Sequence, residues 1–476
     1  MRDLREWLKK VDEMGELQRV EDADWNLEIG NIVEIYQRRM GLPALLFESI
    51  KGYPKGYRVL ANSCTSTRRV AYSFGLPPET TALDLIRWWK GKFTELDRIA
   101  PEVVKKAPIL ENIQKGKDID ILAFPAPHWN SADGGRFIGT GSCVILKDPD
   151  SDWVNIGTYR SQVFDKRDIV SVQISPGKQG DIIMQKYLKR GEKCPIAISC
   201  GHDVLFYMVS GIEIPYGVSE YEICGGLVGE PVEVIQGPET GLPIPAAAEI
   251  VIEGEIYPDD LIDEGPFCEW DGCYSPMRKK PIIRIKSILY RNNPIILGVM
   301  PTRPPSDDTY YRSFLRSAMV WDELEKAGVP GIHTVAALDA GGARLALVVS
   351  IKQMYGGHSR QAGLIASQCH AGAYSNRMVI VVDDDIDPYD INEVIWAICT
   401  RCDPKDDVEI LRKCWGRQAD SLAYPMGDKV FNSRMVIDAC VSWDLRDTFS
   451  RRGGMTPDQR QAVISKWKDK VPHLSY

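Results

Sequence analysis

Apolar residues fall at helical spacing from the start of the chain. Leu4, Trp7, Leu8 and Val11 lie three or four positions apart with charged residues between them, which predicts a short amphipathic helix. Apolar runs follow at 45–47 and 58–60, and a second helical pattern lies near 82–86. Residues 101–117 are charged and read as a connector.

The middle third alternates instead. Apolar stretches at 143–146 and 153–159 flank Asp148, Pro149, Asp150, Ser151 and Asp152, a hairpin signal. Residues 169–174, 248–254 and 282–286 continue the alternation. Many short strands broken by glycine and proline predict a barrel or a strongly curved sheet. From about residue 310 the pattern changes again. A helix is expected near 313–326, and apolar runs at 333–338 and 378–382 precede a helical stretch at 391–401. That is an α/β unit with buried strands. The tail from Thr456 reads as a polar helix and a candidate oligomer arm. The expected organisation is mixed α/β in three parts: 1–105, 106–310 and 311–476.

Composition narrows the classes. A chain of 476 residues exceeds one hydrophobic core and predicts two to four domains. With 44% hydrophobic and 26% charged residues it is neither disordered, collagenous nor coiled-coil. The net charge of −8 argues against nucleic acid as the main partner. The charged first helix does not look like a leader peptide, and no apolar run approaches the roughly 18 residues that span a bilayer. The 12 scattered cysteines read as free, mostly buried thiols. A cytoplasmic enzyme without a membrane partner is expected.

Several motifs fail on inspection. Gly139-Thr140-Gly141 lacks the third glycine of a dinucleotide loop, and no P-loop lysine or G-x-S-x-G elbow occurs. The acidic run 383–387 resembles a calcium loop, but Pro388 stands where glycine is needed, so it reads as a solvated strand end. Cys399 and Cys402 form a lone C-x-x-C, read as two core cysteines on one helix. Two segments stand out. Asn155 and Arg160 share a strand pattern around Gly157, Thr158 and Tyr159. Glu264 and Glu269 flank a Gly265-Pro266 turn beside Phe267 and Trp270, whose apolar faces are expected to raise a carboxylate pKa toward neutrality.

Taken in order, the segments resemble the UbiD family of prenylated-FMN-dependent decarboxylases. The likeness rests on Asn155-Ile156-Gly157-Thr158-Tyr159-Arg160, on Ile214-Pro215-Tyr216-Gly217-Val218-Ser219-Glu220-Tyr221, and on Ala248-Glu249-Ile250-Val251-Ile252-Glu253-Gly254. It continues through Glu264-Gly265-Pro266-Phe267-Cys268-Glu269, Tyr355-Gly356-Gly357-His358 and Val382-Asp383-Asp384-Asp385. Their order and spacing carry it, over nearly the whole chain.

The resemblance implies an N-terminal α/β unit, a central split β-barrel that binds the flavin, and a C-terminal α/β oligomerisation domain, in a homodimer or homohexamer. It implies reversible, non-oxidative decarboxylation of an aromatic, heteroaromatic or α,β-unsaturated acid through a covalent adduct with prenylated FMN, supplied by a flavin prenyltransferase. Arg160, Glu264 and Glu269 match the family's Glu-Arg-Glu network, with Glu269 as proton donor. Asn155 and Glu220 match ligands of a divalent ion, Mn²⁺ first and Mg²⁺ or Fe²⁺ as alternatives. Backbone carbonyls around Ser210, Gly211 and Ile212 match a K⁺ site that shares Glu220. Gly157, Thr158, Tyr159, Lys178 and Arg377 are expected at the cofactor. One departure is plain: the third metal ligand is usually histidine, and Gln179 stands in its place after Lys178. A glutamine carbonyl suits a hard cation, and Lys178 is a candidate direct contact to the phosphate. The alternatives are a non-catalytic cofactor scaffold or a plain FMN reductase on the same fold. An intact Glu-Arg-Glu set argues against a scaffold.

Overall fold

A computed structural model describes residues 3–417, 420, 422, 431–450 and 452–471. The helix Leu4–Glu13 forms as its spacing predicts and buries Leu4, Trp7, Leu8 and Val11. Asp3 caps it, accepting from the Arg5 N–H at 2.8 Å, and Glu6 closes the capping box. The Asp3 carboxylate also pairs with Arg291 at 2.8 Å, which ties the helix to the central unit. Asp3→Ala should lower stability to urea by about 1 kcal/mol, the usual worth of an N-cap. An unchanged midpoint would assign the cap no weight.

The helix covers a four-stranded sheet in the order Leu17–Val20, Ala44–Phe47, Arg58–Ala61 and Ile295–Leu297. The last strand comes from far along the chain and runs parallel to Arg58–Ala61. The N-terminal and middle units are therefore stitched together.

The middle unit is an open, curled sheet of nine strands. Its spine is the pair Ile250–Glu264 and Arg278–Tyr290. Register shifts at Glu253/Gly254 and between Ile256 and Leu261 interrupt that pair, and such bulges bend a sheet. The expected hairpin joins Cys143–Lys147 to Val154–Gly157, with Leu146 opposite Asn155. Residues 101–117 are more than a connector. Glu102–Val103 pairs with Glu233–Gln236, and Asn112–Lys115 pairs with the spine strand Arg278–Tyr290. These strands of two and four residues are too short to show a period.

The 20-residue helix Asp307–Lys326 leads into the C-terminal unit and is buried along most of its length. Its five-stranded sheet runs Ile332–Ala337, Ala346–Ile351, Met378–Asp383, Phe431–Ala439, Val408–Trp415. The helix Ile391–Arg401 has its expected bounds. The acidic strand end is held by Arg401, whose guanidinium meets Asp383 at 2.9 Å and Asp385 at 2.7 Å. Cys399 is exposed and Cys402 half-buried, so the reading of both as core side chains is corrected. All 12 cysteines are free.

Candidate active site

An open cavity of about 1130 Å³ lies between the curled sheet and the C-terminal unit. Arg160 enters it just past the strand Val154–Gly157, where its backbone bridges to Gln173. Its guanidinium forks onto Glu264, Nε at 2.6 Å and Nη2 at 2.9 Å, and its Nη1 donates to Glu269. Glu264 ends the spine strand Ile250–Glu264, and Glu269 follows the short strand Phe267–Cys268. The Phe267 ring lies beneath the guanidinium, 4.5 Å from its carbon. The five-residue spacing along the chain thus places one carboxylate on each side of one cation.

The expected rise of the Glu269 pKa is corrected. Burial pushes it up, but Arg160, Arg417 and the Ser275 hydroxyl together hold it below the ordinary carboxylate value. Arg417 comes from the C-terminal unit and approaches Glu269 at 3.9 Å. Burial alone would depress the Arg160 guanidinium, and the two glutamates reverse this, so it stays charged.

Asn155, Gln179 and Glu220 meet behind the cavity wall. The Asn155 Nδ2 donates to Glu220 Oε1 at 3.0 Å and to Gln179 Oε1 at 3.1 Å. The Ile214 carbonyl takes the Gln179 Nε2 at 2.7 Å, which turns the Gln179 oxygen toward the cluster. The Asn155 Oδ1 is buried without a partner. Glu220 is buried with no cation paired to it among the described residues, and burial pushes its pKa up to about 8 against the hydrogen bonds from Ile156 and Asn155. Which end of an amide carries the oxygen is an assignment. With the Asn155 amide turned over, three oxygens converge, one of them anionic. That is a donor set for a hard divalent cation. It contains two amides, which is why no group of three His, Cys, Asp or Glu side chains marks the site among the described residues.

Lys178, the N-cap of the helix Gln179–Lys189, lines the cavity beside Tyr374, its amine 4.2 Å from the ring centre. Burial lowers that amine to about 8, although Glu213 attracts it. Glu213 itself is shared by three cations: Arg316 and Arg344 at 2.6 Å, and Lys178 at 3.7 Å. This corner carries more positive than negative charge and suits an anion such as a phosphate. Ser210, Gly211 and Ile212 line the same region at the end of the helix Val204–Ser210, where carbonyls lack helical partners. Gly157 has a steric reason. A Cβ there would stand 2.5 Å from the Tyr159 ring, and one at Gly180 would stand 2.8 Å from it.

Arg377 does not line the cavity. Its guanidinium is taken up by Asp420 and the Ser433 carbonyl. The sequence reading missed Glu213, Arg312, Arg344, Tyr374 and Arg417, all on the cavity wall. One signal was present. Arg312 and Arg316 lie one helical turn apart on the same buried face as Leu315 and Met319, an unusual place for two guanidiniums.

Comparison with known proteins gives the family. Family models of the 3-octaprenyl-4-hydroxybenzoate carboxy-lyase (UbiD) match in sequence: the N-terminal domain at 8–89, the Rift-related domain at 102–304 and the C-terminal domain at 309–439. A phenolic acid decarboxylase of Streptomyces sp. (strain D7) is 30% identical over 99% of this chain and 98% of its own. The closed form of the vanillic acid decarboxylase of Sedimentibacter hydroxybenzoicus superposes with a TM-score of 0.86 at 29% identity, covering 99% of both chains. The UbiD-class enzyme HmfF of Pelotomaculum thermopropionicum, in complex with FMN, gives 0.84 at 27% identity over 98% of this chain and all of that one. An evolved dimeric form of HmfF is in complex with prenylated FMN. With three domain models in register along its length and relatives that match it end to end, the chain belongs to the UbiD family of carboxy-lyases.

Proposed function

We propose that this protein decarboxylates an aromatic, heteroaromatic or α,β-unsaturated carboxylic acid, reversibly and without oxidation, with prenylated FMN in the cavity and Glu269 as proton donor. The observation that carries the reading is the Arg160 guanidinium gripped between Glu264 and Glu269 at the cavity wall. Loss of CO₂ from an sp² carbon leaves an electron pair that no side chain delocalises. Prenylated FMN, when bound, supplies that electron sink. The other tasks fall to the chain. Arg160 takes the substrate carboxylate by charge-assisted hydrogen bonds. Phe267, Trp270 and Tyr374 add aromatic surface to the cavity wall. Glu264 keeps the guanidinium in place while Glu269 gives its proton to the carbon. Asn155, Gln179 and Glu220 would hold the divalent ion, and the carbonyls at Ser210, Gly211 and Ile212 a K⁺. Lys178 would meet the cofactor phosphate. A carrier or a simple reductase has no use for a pair of glutamates closed around a buried arginine at the cavity wall.

Native mass spectrometry of protein co-expressed with a flavin prenyltransferase tests this. The expected result is a bound mass of prenylated FMN plus one divalent ion, followed by CO₂ release from members of an aromatic-acid panel. A folded protein that takes up only unmodified FMN, or none, would overturn it. Oligomerisation through the C-terminal unit is part of the same reading. Ile410, Trp415, Phe431 and Met435 are exposed on its outermost two strands.

The glutamine ligand has its own consequence. An amide oxygen favours hard ions, whereas an imidazole favours later transition metals. Gln179→His should raise Zn²⁺ and Co²⁺ affinity about tenfold or more, with a smaller change for Mg²⁺. Calorimetric metal titration reads this directly. Equal shifts for all ions would remove Gln179 from the ligand set.

A further inference from the structure

Glu269 stands between two cavities. The large one is the candidate site. A second, much smaller one, with room for about one water, lies on the other side of the Arg160–Glu269 pair. Arg160, Gln173, Ser175 and Glu269 border both, so they form the partition. Ser275, Pro276, Arg278 and Lys280 close the small cavity elsewhere. Ser275 is buried; its hydroxyl donates to the Phe267 carbonyl at 3.3 Å and lies close enough to the Glu269 carboxylate to help lower its pKa. The Gln173 Oε1 is buried without a partner. Lys280 is half-buried, and its amine makes no hydrogen bond or ion pair among the described residues. Its neighbour Lys279, by contrast, pairs with Asp263 at 2.9 Å.

Net decarboxylation consumes one proton per turnover. The carboxylate leaves as CO₂, and the carbon takes a proton. A donor at Glu269 must be recharged from water each time. With flavin and an aromatic molecule in the large cavity, the water on that side is displaced. We propose that the small cavity is the proton-return path to Glu269, and that Lys280 passes the proton from solvent by way of Ser275 or a water.

The proposal rests on the reading of Glu269 as donor. The protons balance as follows. The Lys280 ammonium gives a proton to the Glu269 carboxylate, leaving an amine and a carboxylic acid. The amine then takes a proton from solvent, and Glu269 gives its own to carbon. The sum is RCO₂⁻ + H⁺ → RH + CO₂, and carboxylation runs the same path backwards. Burial lowers the Lys280 pKa, which eases release. The charged groups facing it are Arg160 and Arg278, which act in the same sense, and Glu264 and Glu269, which oppose it.

The test uses the holoenzyme from co-expression with the prenyltransferase, as wild type, Lys280→Arg, Lys280→Met and Ser275→Ala. Two rates are read on one acid. Net turnover needs a proton. Exchange of labelled CO₂ into the substrate carboxyl does not. Arginine keeps the charge but does not release a proton. Both Lys280 variants should lose about tenfold or more in kcat, with exchange and KM within about twofold. Added methylamine should restore turnover to Lys280→Met in proportion to its concentration. Ser275→Ala should slow turnover less, because a water can take the hydroxyl's place. Full turnover in Lys280→Arg, or an equal fall in exchange, would overturn the path and leave the decarboxylase reading standing. A wild type with neither turnover nor exchange on any acid would overturn that reading and the path together.

Discussion

Glu269→Gln is expected to bind the cofactor and metal as the wild type does and to lose roughly 10²–10⁴-fold in kcat, the range over which a positioned general acid acts. Glutamine has the same shape and keeps an oxygen for the Arg160 Nη1, so the partition stays intact. It has no proton to give. The depressed pKa of Glu269 looks at first like an objection, because a donor must hold its proton near neutral pH. The resolution lies in what depresses it. Arg160 and Arg417 outweigh burial only while Glu269 is the anion they face. A substrate carboxylate arriving at Arg160 takes over that guanidinium and adds a like charge, and both changes raise the pKa of Glu269. Substrate binding should therefore draw a proton from solution. In weakly buffered indicator dye the wild type should take up as much as one proton per substrate bound, and Glu269→Gln none. Turnover near the wild-type rate in the variant, or proton uptake that survives the substitution, would remove Glu269 from the donor role.

Much of this site was legible along the chain, and the reason is local. Asn155 and Arg160 lie on one strand and the loop that follows it, and Glu264 and Glu269 lie on one turn, so their spacing survives folding unchanged. The first helix and the hairpin at 143–157 announced themselves by period and turn chemistry. What failed was non-local. The strand Asn112–Lys115 owes its existence to a partner more than 160 residues away and has no period of its own. The Glu269 environment was read from Phe267 and Trp270, its neighbours in sequence. Arg417, 148 positions on, helps decide the sign. Arg344 and Tyr374 come from separate loops of the C-terminal unit, and no pattern among 58 basic residues singles out the arginine.

Arg160→Met should be the most damaging single change at the site, and its two effects should separate. The guanidinium is nearly buried, and Glu264 below it is fully so. Removing one partner of a buried pair leaves an uncompensated charge and costs about 3–5 kcal/mol. That is a large share of the roughly 5–15 kcal/mol that holds a domain together. Adding Glu264→Gln removes the more deeply buried of the two stranded charges, so the double variant should recover part of the loss in urea melts. It should recover no decarboxylation, because nothing remains to take the substrate carboxylate. Acidity supplies a second check. The folded-state pKa of Glu269 is depressed, so its pairing with Arg160 stabilises the protein above the ordinary carboxylate value of 4.5. The contribution is lost as pH falls through the depressed folded value. The stability gap between wild type and Arg160→Met should accordingly be widest near neutrality and narrow on acidification. A gap independent of pH would mean that Arg160 acts through its packing over Phe267 rather than its charge. Recovery of activity in the double variant would mean that the carboxylate of the substrate is held elsewhere in the cavity.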